Sequence, residues 1–221
     1  MTAPARRRLL GLPVVASPAA AGASASFRWA FFKESDLRFV GAAVDRLIPR
    51  DDFPSATEAG VVVYIDRQLA GSYGRGDRMY LAGPISRGAP QQGYQLGLAP
   101  AQLYRRALDG LMTLPEGRTF DARSADEQDA FLKRLEAGGL VLNGVPSAVF
   151  FETLLANAVE GYFADPMYGG NRDMAGWRMI GFPGAYANFV QWVGRHNVRF
   201  NRPPIGIASV GPSRHGDGHS H

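Results

Sequence analysis

The sequence predicts an all-α domain whose helices are separated by long, irregular loops. Apolar residues recur every three or four positions in several separate segments, which is the spacing of one helix face. No segment shows the clear alternation of a half-buried strand, and no internal repeat is present. The 27 glycines and 15 prolines among 221 residues interrupt these patterns often enough to require extended connections.

The first two helices are bounded by residues that commonly begin and end helices. The first is predicted to start at Ser35, a favourable N-cap, and to stop before Pro49. The second is predicted to start at Thr57 as N-cap and to end at Gly71. Both carry apolar residues at helical spacing, so each should bury one face.

Three further helices follow in the second half of the chain. Pro100 is predicted to open the third, and Ser124 with Glu127 forms a capping box for the fourth. Pro146 opens the fifth, which is the longest and has a wide apolar face, so we expect it to be central. It should end before Asp165-Pro166, and a short final helix is predicted over residues 186–193.

Aromatic residues in the loops are the candidate contacts with another protein. Residues 72–99 are predicted to be irregular, and a long loop of this kind is typical of a functional segment that lies over another surface. Trp177 and the aromatic residues near it fit a core and an interface equally well, because Trp and Tyr are enriched in interface hot spots. The candidate partner interface comprises Tyr73, Tyr80, Tyr94, Tyr168, Trp177 and Phe182.

The N-terminal residues are typical of an export leader. Residues 1–33 contain no Asp or Glu, Arg6 and Arg7 precede a short apolar run, and Ala23-Ser24-Ala25 fits signal peptidase cleavage. We therefore predict a twin-arginine type signal peptide over 1–25, a helical domain over 26–201, and an extended or disordered tail over 202–221. The alternative is a disordered basic tail on a cytosolic protein.

The chain has few of the side chains that commonly serve in catalysis. There is no cysteine, which excludes disulfides, thiol chemistry and cysteine-held zinc, iron–sulfur or covalent haem sites. His196 is the one histidine upstream of the last few residues, and His most often serves as general base. The net charge of +4 falls to +1 without Arg6, Arg7 and Arg8, and the other arginines are scattered, so nucleic-acid binding is not expected. No catalytic, cofactor-binding or metal-binding residue is predicted in this chain.

An ordered set of short motifs over residues 27–190 resembles the gluconate 2-dehydrogenase subunit 3 family. The motifs lie at the ends of the predicted helices and in the loops between them. They are Asp45-Arg46-Leu47-Ile48-Pro49, Glu58-Ala59-Gly60-Val61, Tyr64-Ile65-Asp66, Gln68-Leu69, Gly83-Pro84, Phe150-Phe151, Gly161-Tyr162-Phe163-Ala164-Asp165-Pro166, Tyr168-Gly169-Gly170-Asn171, Gly176-Trp177 and Ile180-Gly181-Phe182-Pro183-Gly184.

The resemblance implies a non-catalytic small subunit of a periplasmic sugar or sugar-acid dehydrogenase. The partner large subunit would hold FAD, and a multihaem cytochrome c subunit would pass electrons to quinone. The small subunit would carry the export leader for the flavoprotein, and membrane association would come through its partners. The alternative is a stand-alone periplasmic domain that binds or transforms a sugar acid in a pocket near Trp177.

Overall fold

The computed structural model describes residues 27–86, 88–89, 92–114 and 117–209. The predicted leader with Arg6 and Arg7, and residues 210–221 of the tail, lie outside the described residues. Seven α-helices and one two-stranded hairpin are present in the described part. They are α1 (Glu34–Leu47), α2 (Val61–Ala70), α3 (Ser72–Arg75), α4 (Pro100–Met112), α5 (Ala125–Glu136), β1 (Val141–Leu142), β2 (Val145–Pro146), α6 (Ser147–Phe163) and α7 (Ala175–Ile180).

Helix α6 is the centre of the domain, as its wide apolar face predicts. It packs against α1, α2, α4 and α5, and its residues Phe150 and Leu154 are fully buried. The ring of Phe150 meets the edge of Tyr104 from α4 at 5.5 Å. A second ring contact, 4.9 Å between Phe39 and Phe120, closes the core between α1 and the segment before α5. The all-α fold class is confirmed.

Several helix ends follow the sequence prediction. Helix α4 begins at Pro100, and α5 begins after Ser124, whose hydroxyl accepts from the Glu127 N–H. The Glu127 carboxylate in turn accepts from the Ser124 N–H at 2.8 Å, which completes the capping box. Helix α6 ends at Phe163, two residues before Asp165. These ends depend on neighbours in sequence, which is why local patterns locate them.

Two helix caps differ from the prediction. Helix α1 begins at Glu34, close to Ser35, but its N-cap is Lys33, two residues before Ser35, because the Asp36 carboxylate accepts from the Lys33 N–H at 2.8 Å. Thr57 does not cap α2, because its N–H and hydroxyl both donate to the Asp45 carboxylate, at 2.8 and 2.6 Å. Helix α2 starts four residues later, at Val61.

Three other expectations need correction. A hairpin joins β1 to β2 where no strand was expected, and its turn residues Asn143 and Gly144 have φ of 47° and 83°. The loop after α2 is not wholly irregular, since it begins with the short helix α3. The predicted final helix over 186–193 is only a 3-10 turn over Val190–Trp192.

The C-terminal segment returns to the domain. Ile205 forms a parallel bridge with Gly184, and the Ile207 N–H donates to the Asp165 carboxylate at 2.6 Å. The described part of the tail, which ends in a 3-10 turn over Ile207–Ser209, is therefore attached at the exit of α6. No helix among the described residues has both the length and the apolar character needed to cross a membrane.

Candidate partner interface

The loop that follows α6 is attached to the domain through the side chain of Asn171. This residue is buried and adopts a left-handed conformation with φ of 46°. Its amide donates to the Ala164 carbonyl and accepts from the Gly176 N–H, both at 2.9 Å. The next N–H, from Arg172, donates to the Ala59 carbonyl at 2.8 Å. The loop therefore joins the end of α6, the start of α7 and the turn before α2.

Glycines let three backbone segments approach one another in this region. Gly60 has φ of 85°, and a Cβ there would lie 2.6 Å from the Gly169 carbonyl oxygen. A Cβ on Gly170 would overlap the carbonyl oxygen of Gly161 in α6. Gly60 and Gly170 are thus explained by close backbone packing, whereas a Cβ on Gly161 would lie 2.8 Å from the Tyr64 ring.

Trp177 is inside the protein, so it is not an exposed contact residue. Only 6% of its surface is accessible, and its indole N–H donates to the Phe163 carbonyl at 2.7 Å. Its ring supports the exposed ring of Phe182 at 5.2 Å in an edge-to-face arrangement. The prediction of Trp177 as an interface residue is therefore corrected to a core position that holds Phe182 at the surface.

A buried asparagine on α6 organises the tyrosines that surround it. The Asn157 carbonyl oxygen accepts from the Tyr104 hydroxyl at 2.9 Å. Its amide nitrogen donates to the Tyr73 hydroxyl at 3.1 Å and to the Glu160 carboxylate at 3.2 Å. Sequence analysis missed Asn157, although a polar residue among apolar positions of a central helix indicates a buried hydrogen-bonding group.

Tyr64 of α2 extends this group towards Glu160 of α6. Burial, the negative charge of Glu160 and a hydrogen bond to Glu160 raise the pKa of Tyr64 to about 12. Burial, followed by the nearby Tyr73, raises the pKa of Tyr94 to about 12. Tyr168 also contributes to the raised pKa of Tyr64. We call Tyr64, Tyr73, Tyr94 and Tyr168, with Asn157 and Glu160, the tyrosine row.

Helix α6 leaves an exposed stripe beside the tyrosine row. Its members recur at i, i+3, i+4, i+7 and i+8, so they share one face of the helix. Its centre is apolar, with Leu155 and Val159 both exposed. The exposed stripe consists of Glu152, Leu155, Ala156, Val159 and Glu160, so a glutamate lies at each end. An exposed stripe with an apolar centre on the central helix of a domain is a candidate for contact with a partner.

The structure thus brings together only part of the predicted interface. Tyr73, Tyr94 and Tyr168 belong to the tyrosine row, whereas Tyr80, on the same connection as Tyr94, and Phe182, after α7, do not. Tyr80 is 79% exposed, and its hydroxyl donates to the Gly83 carbonyl at 3.1 Å within its own loop.

The tyrosine row should make stability depend on alkaline pH. The pKa of Tyr64 lies above its unfolded value of about 10, so the folded chain retains a proton that the unfolded chain loses. The stabilising contribution is complete below about pH 10 and is lost as the pH rises to about 12. Urea unfolding across this range should show a weaker pH dependence for Tyr64→Phe than for the wild type. The exposed-ring control Tyr80→Phe should match the wild type, and equal slopes for Tyr64→Phe and wild type would contradict the assignment.

The segment before α1 is held by a buried carboxylate that sequence analysis also missed. Asp66 of α2 accepts from the backbone N–H groups of Ala30, Phe31 and Phe32, each at 2.9 Å. Arg105 of α4 adds a hydrogen bond to the Phe31 carbonyl at 2.9 Å. The sequence does contain an indication of this role, because Asp66 is an acidic residue among the apolar positions of α2.

Two cavities in the described part bear on the alternative of a pocket near Trp177. One of about 260 Å³ opens beside α1 and α5, with Phe39, Phe120 and Phe131 among its walls. Another lies next to α7 and is lined by Ala175 and Arg178, on either side of Trp177 in sequence, but not by Trp177 itself. Among the described residues, no group of three or more His, Cys, Asp or Glu is placed to hold a metal ion.

These observations define a predominantly helical domain with an exposed stripe on its central helix and glycine-containing loops packed against the end of that helix. The chain belongs to the gluconate 2-dehydrogenase subunit 3 family, whose profile matches residues 34–184, more than half of its length. The resemblance inferred from the motifs is confirmed. Comparisons with curated proteins and with solved structures found no match.

Proposed function

We propose that this chain is the non-catalytic small subunit of an FAD-dependent, periplasm-facing complex of the gluconate 2-dehydrogenase type. It stabilises the flavoprotein subunit and assists its export, while a cytochrome c subunit receives the electrons. Membership of the family supports a place in such a complex. The leader-like sequence around Arg6 and Arg7 supports export.

The exposed stripe of α6 is the observation that carries this proposal. Leu155 and Val159 stand open on the most central helix, although apolar burial is the main favourable term in association. The tyrosine row borders the stripe and supplies rigid rings with polar tips, which suit an interface that is partly wet. If this chain binds only the folded flavoprotein, the binding shifts the folding equilibrium of the flavoprotein towards its folded state by mass action.

Co-expression with the flavoprotein tests the proposal as a whole. Omitting this chain should leave the flavoprotein in the cytoplasm with low flavin content and low activity. Replacing Arg6 and Arg7 by lysine should separate the two roles, because the flavoprotein then stays active but is not exported. Normal export of active flavoprotein without this chain would overturn the proposal.

The exposed stripe gives a sharper prediction for partner binding. Replacing Leu155 and Val159 together by arginine places two charges at an apolar contact and should weaken flavoprotein binding by about tenfold or more. Binding of purified proteins can be measured by interferometry. The matched control is Val141→Arg on the hairpin, at another exposed valine, and it should bind like the wild type. Equal binding by the stripe variant would exclude this face.

The alternative of a stand-alone periplasmic sugar-acid-binding or enzymatic domain makes an opposite prediction. The purified chain would then bind gluconate in calorimetric titration, or oxidise it without a flavoprotein. Either result would overturn the subunit role.

A further inference from the structure

Residues 186–202 form a small aromatic unit beyond the end of the family match. The ring of Phe200 is its centre and lies 5.2 Å from Tyr186, 5.3 Å from Phe189 and 5.0 Å from Trp192. The Tyr186 hydroxyl donates to the Pro203 carbonyl at 3.0 Å. This C-terminal aromatic unit therefore has packing of its own, and the family match, which ends at residue 184, does not account for it.

The aromatic unit presents apolar side chains to solvent. Val190 is 75% exposed and Val193 is 74% exposed, and Phe189 and Val198 are exposed as well. Neither of the two cavities described above is lined by these residues. The exposed valines therefore favour contact with a broad surface over capture of a small molecule or an inserted peptide.

The charge around this apolar surface has one sign. No Asp or Glu occurs between residues 174 and 209, whereas Arg195, Arg199 and Arg202 lie within or at the end of the aromatic unit. Two of these guanidinium groups lie over the Trp192 ring, Arg195 at 4.9 Å and Arg202 at 5.8 Å. An apolar segment whose own charged residues are all arginines complements an anionic occupant.

An anionic phospholipid surface is the occupant that fits these observations best. Shallow valines and aromatic rings insert at the headgroup boundary, while arginines reach the lipid phosphates. An interface with a folded protein would be expected to carry charges of both signs on this chain, and this segment has no acidic residue. The unit is also fixed to the domain through the Ile205 bridge and the Ile207 bond to Asp165, so lipid contact would position the whole domain.

We propose that the C-terminal aromatic unit binds the surface of membranes that contain anionic phospholipid. The family resemblance implies membrane association through the partner subunits, so this inference adds a direct contact by this chain. It does not depend on flavoprotein binding, since the exposed stripe and the aromatic unit are different surfaces.

A single-cysteine label tests the contact locally, because the natural chain has no cysteine. Val190→Cys in the full chain carries an environment-sensitive fluorophore, and Val141→Cys serves as the matched exposed control. Vesicles of phosphatidylcholine with phosphatidylglycerol should shift the emission at 190 to the blue and protect it from acrylamide, with no change at 141. Pure phosphatidylcholine vesicles should have little effect. Adding Arg195→Glu and Arg199→Glu should weaken the response by about tenfold or more.

The local label separates this surface from any binding by the leader. A chain that sediments with anionic vesicles while the label at 190 stays in water would overturn the proposal. A label at 190 that responds only to the flavoprotein would also overturn it and would assign the unit to a protein interface. Loss of flavoprotein export would leave the vesicle result unchanged, so failure of either proposal can be distinguished.

Discussion

Replacing Gly170 by alanine should destabilise the domain by about 3 kcal/mol or more, the upper end of the cost of overpacking. A Cβ at this position would overlap the carbonyl oxygen of Gly161, which belongs to the backbone of α6. Backbone cannot move aside as the tip of a flexible side chain can, so the loop must lift from the helix. The Asn171 hydrogen bonds to Ala164 and Gly176 would then be lost together.

Urea unfolding followed by circular dichroism measures this loss. Gly194→Ala is the matched control, because a Cβ there meets open space and its φ is not in the left-handed region. The control should change stability by less than about 1 kcal/mol, and the restricted unfolded chain favours a small gain. Similar urea midpoints for both variants would show that the loop is not seated on α6 as described.

The helix ends that the sequence located are those decided by close neighbours. Ser124 and Glu127 cap α5 through mutual bonds, and Pro100 begins α4 at the position where a missing N–H costs nothing. Thr57 failed as a cap because Asp45, twelve residues earlier on α1, takes its donors. This is a tertiary contact between residues of two different segments, so a local sequence pattern cannot predict it.

One missed element did have a local indication. Asn143-Gly144 is the preferred pair for a two-residue hairpin turn, and both residues adopt positive φ in the structure. The flanking strands are two residues each, too short to produce visible alternation. Periodicity alone therefore does not indicate this hairpin, whereas the residue types of its turn do.

The candidate interface was harder to predict than the fold. Exposed tyrosines could be chosen from the loops, but the exposed stripe on α6 could not, because Leu155 and Val159 look like core residues in a helix that is apolar on most sides. Which face remains open depends on how many helices surround α6. For the same reason Trp177 fitted core and surface equally until its bond to the Phe163 carbonyl was known.

Replacing Asp66 by asparagine should cost about 1.5–3 kcal/mol, the range for a hydrogen bond to a charged group. The carboxylate is buried and accepts three backbone N–H groups, those of Phe31 and Phe32 at one oxygen and that of Ala30 at the other. An amide of the same shape retains one accepting oxygen, which can keep the bonds from Phe31 and Phe32. Its NH₂ group then faces the Ala30 N–H, so this bond is lost and the charge that strengthens the other two is removed.

The substitution should increase local opening of the segment before α1 more than unfolding of the whole domain. This difference distinguishes a residue that attaches one segment from a general core residue. Hydrogen exchange at residues 30–32 should accelerate more than exchange at the centre of α6, because the segment before α1 is released first. Asp77→Asn is the control, since Asp77 pairs with Arg75 at an exposed site where ion pairs contribute little. If exchange at residues 30–32 is unchanged in Asp66→Asn, another contact anchors this segment. In that case the Arg105 bond to the Phe31 carbonyl would be the next to remove.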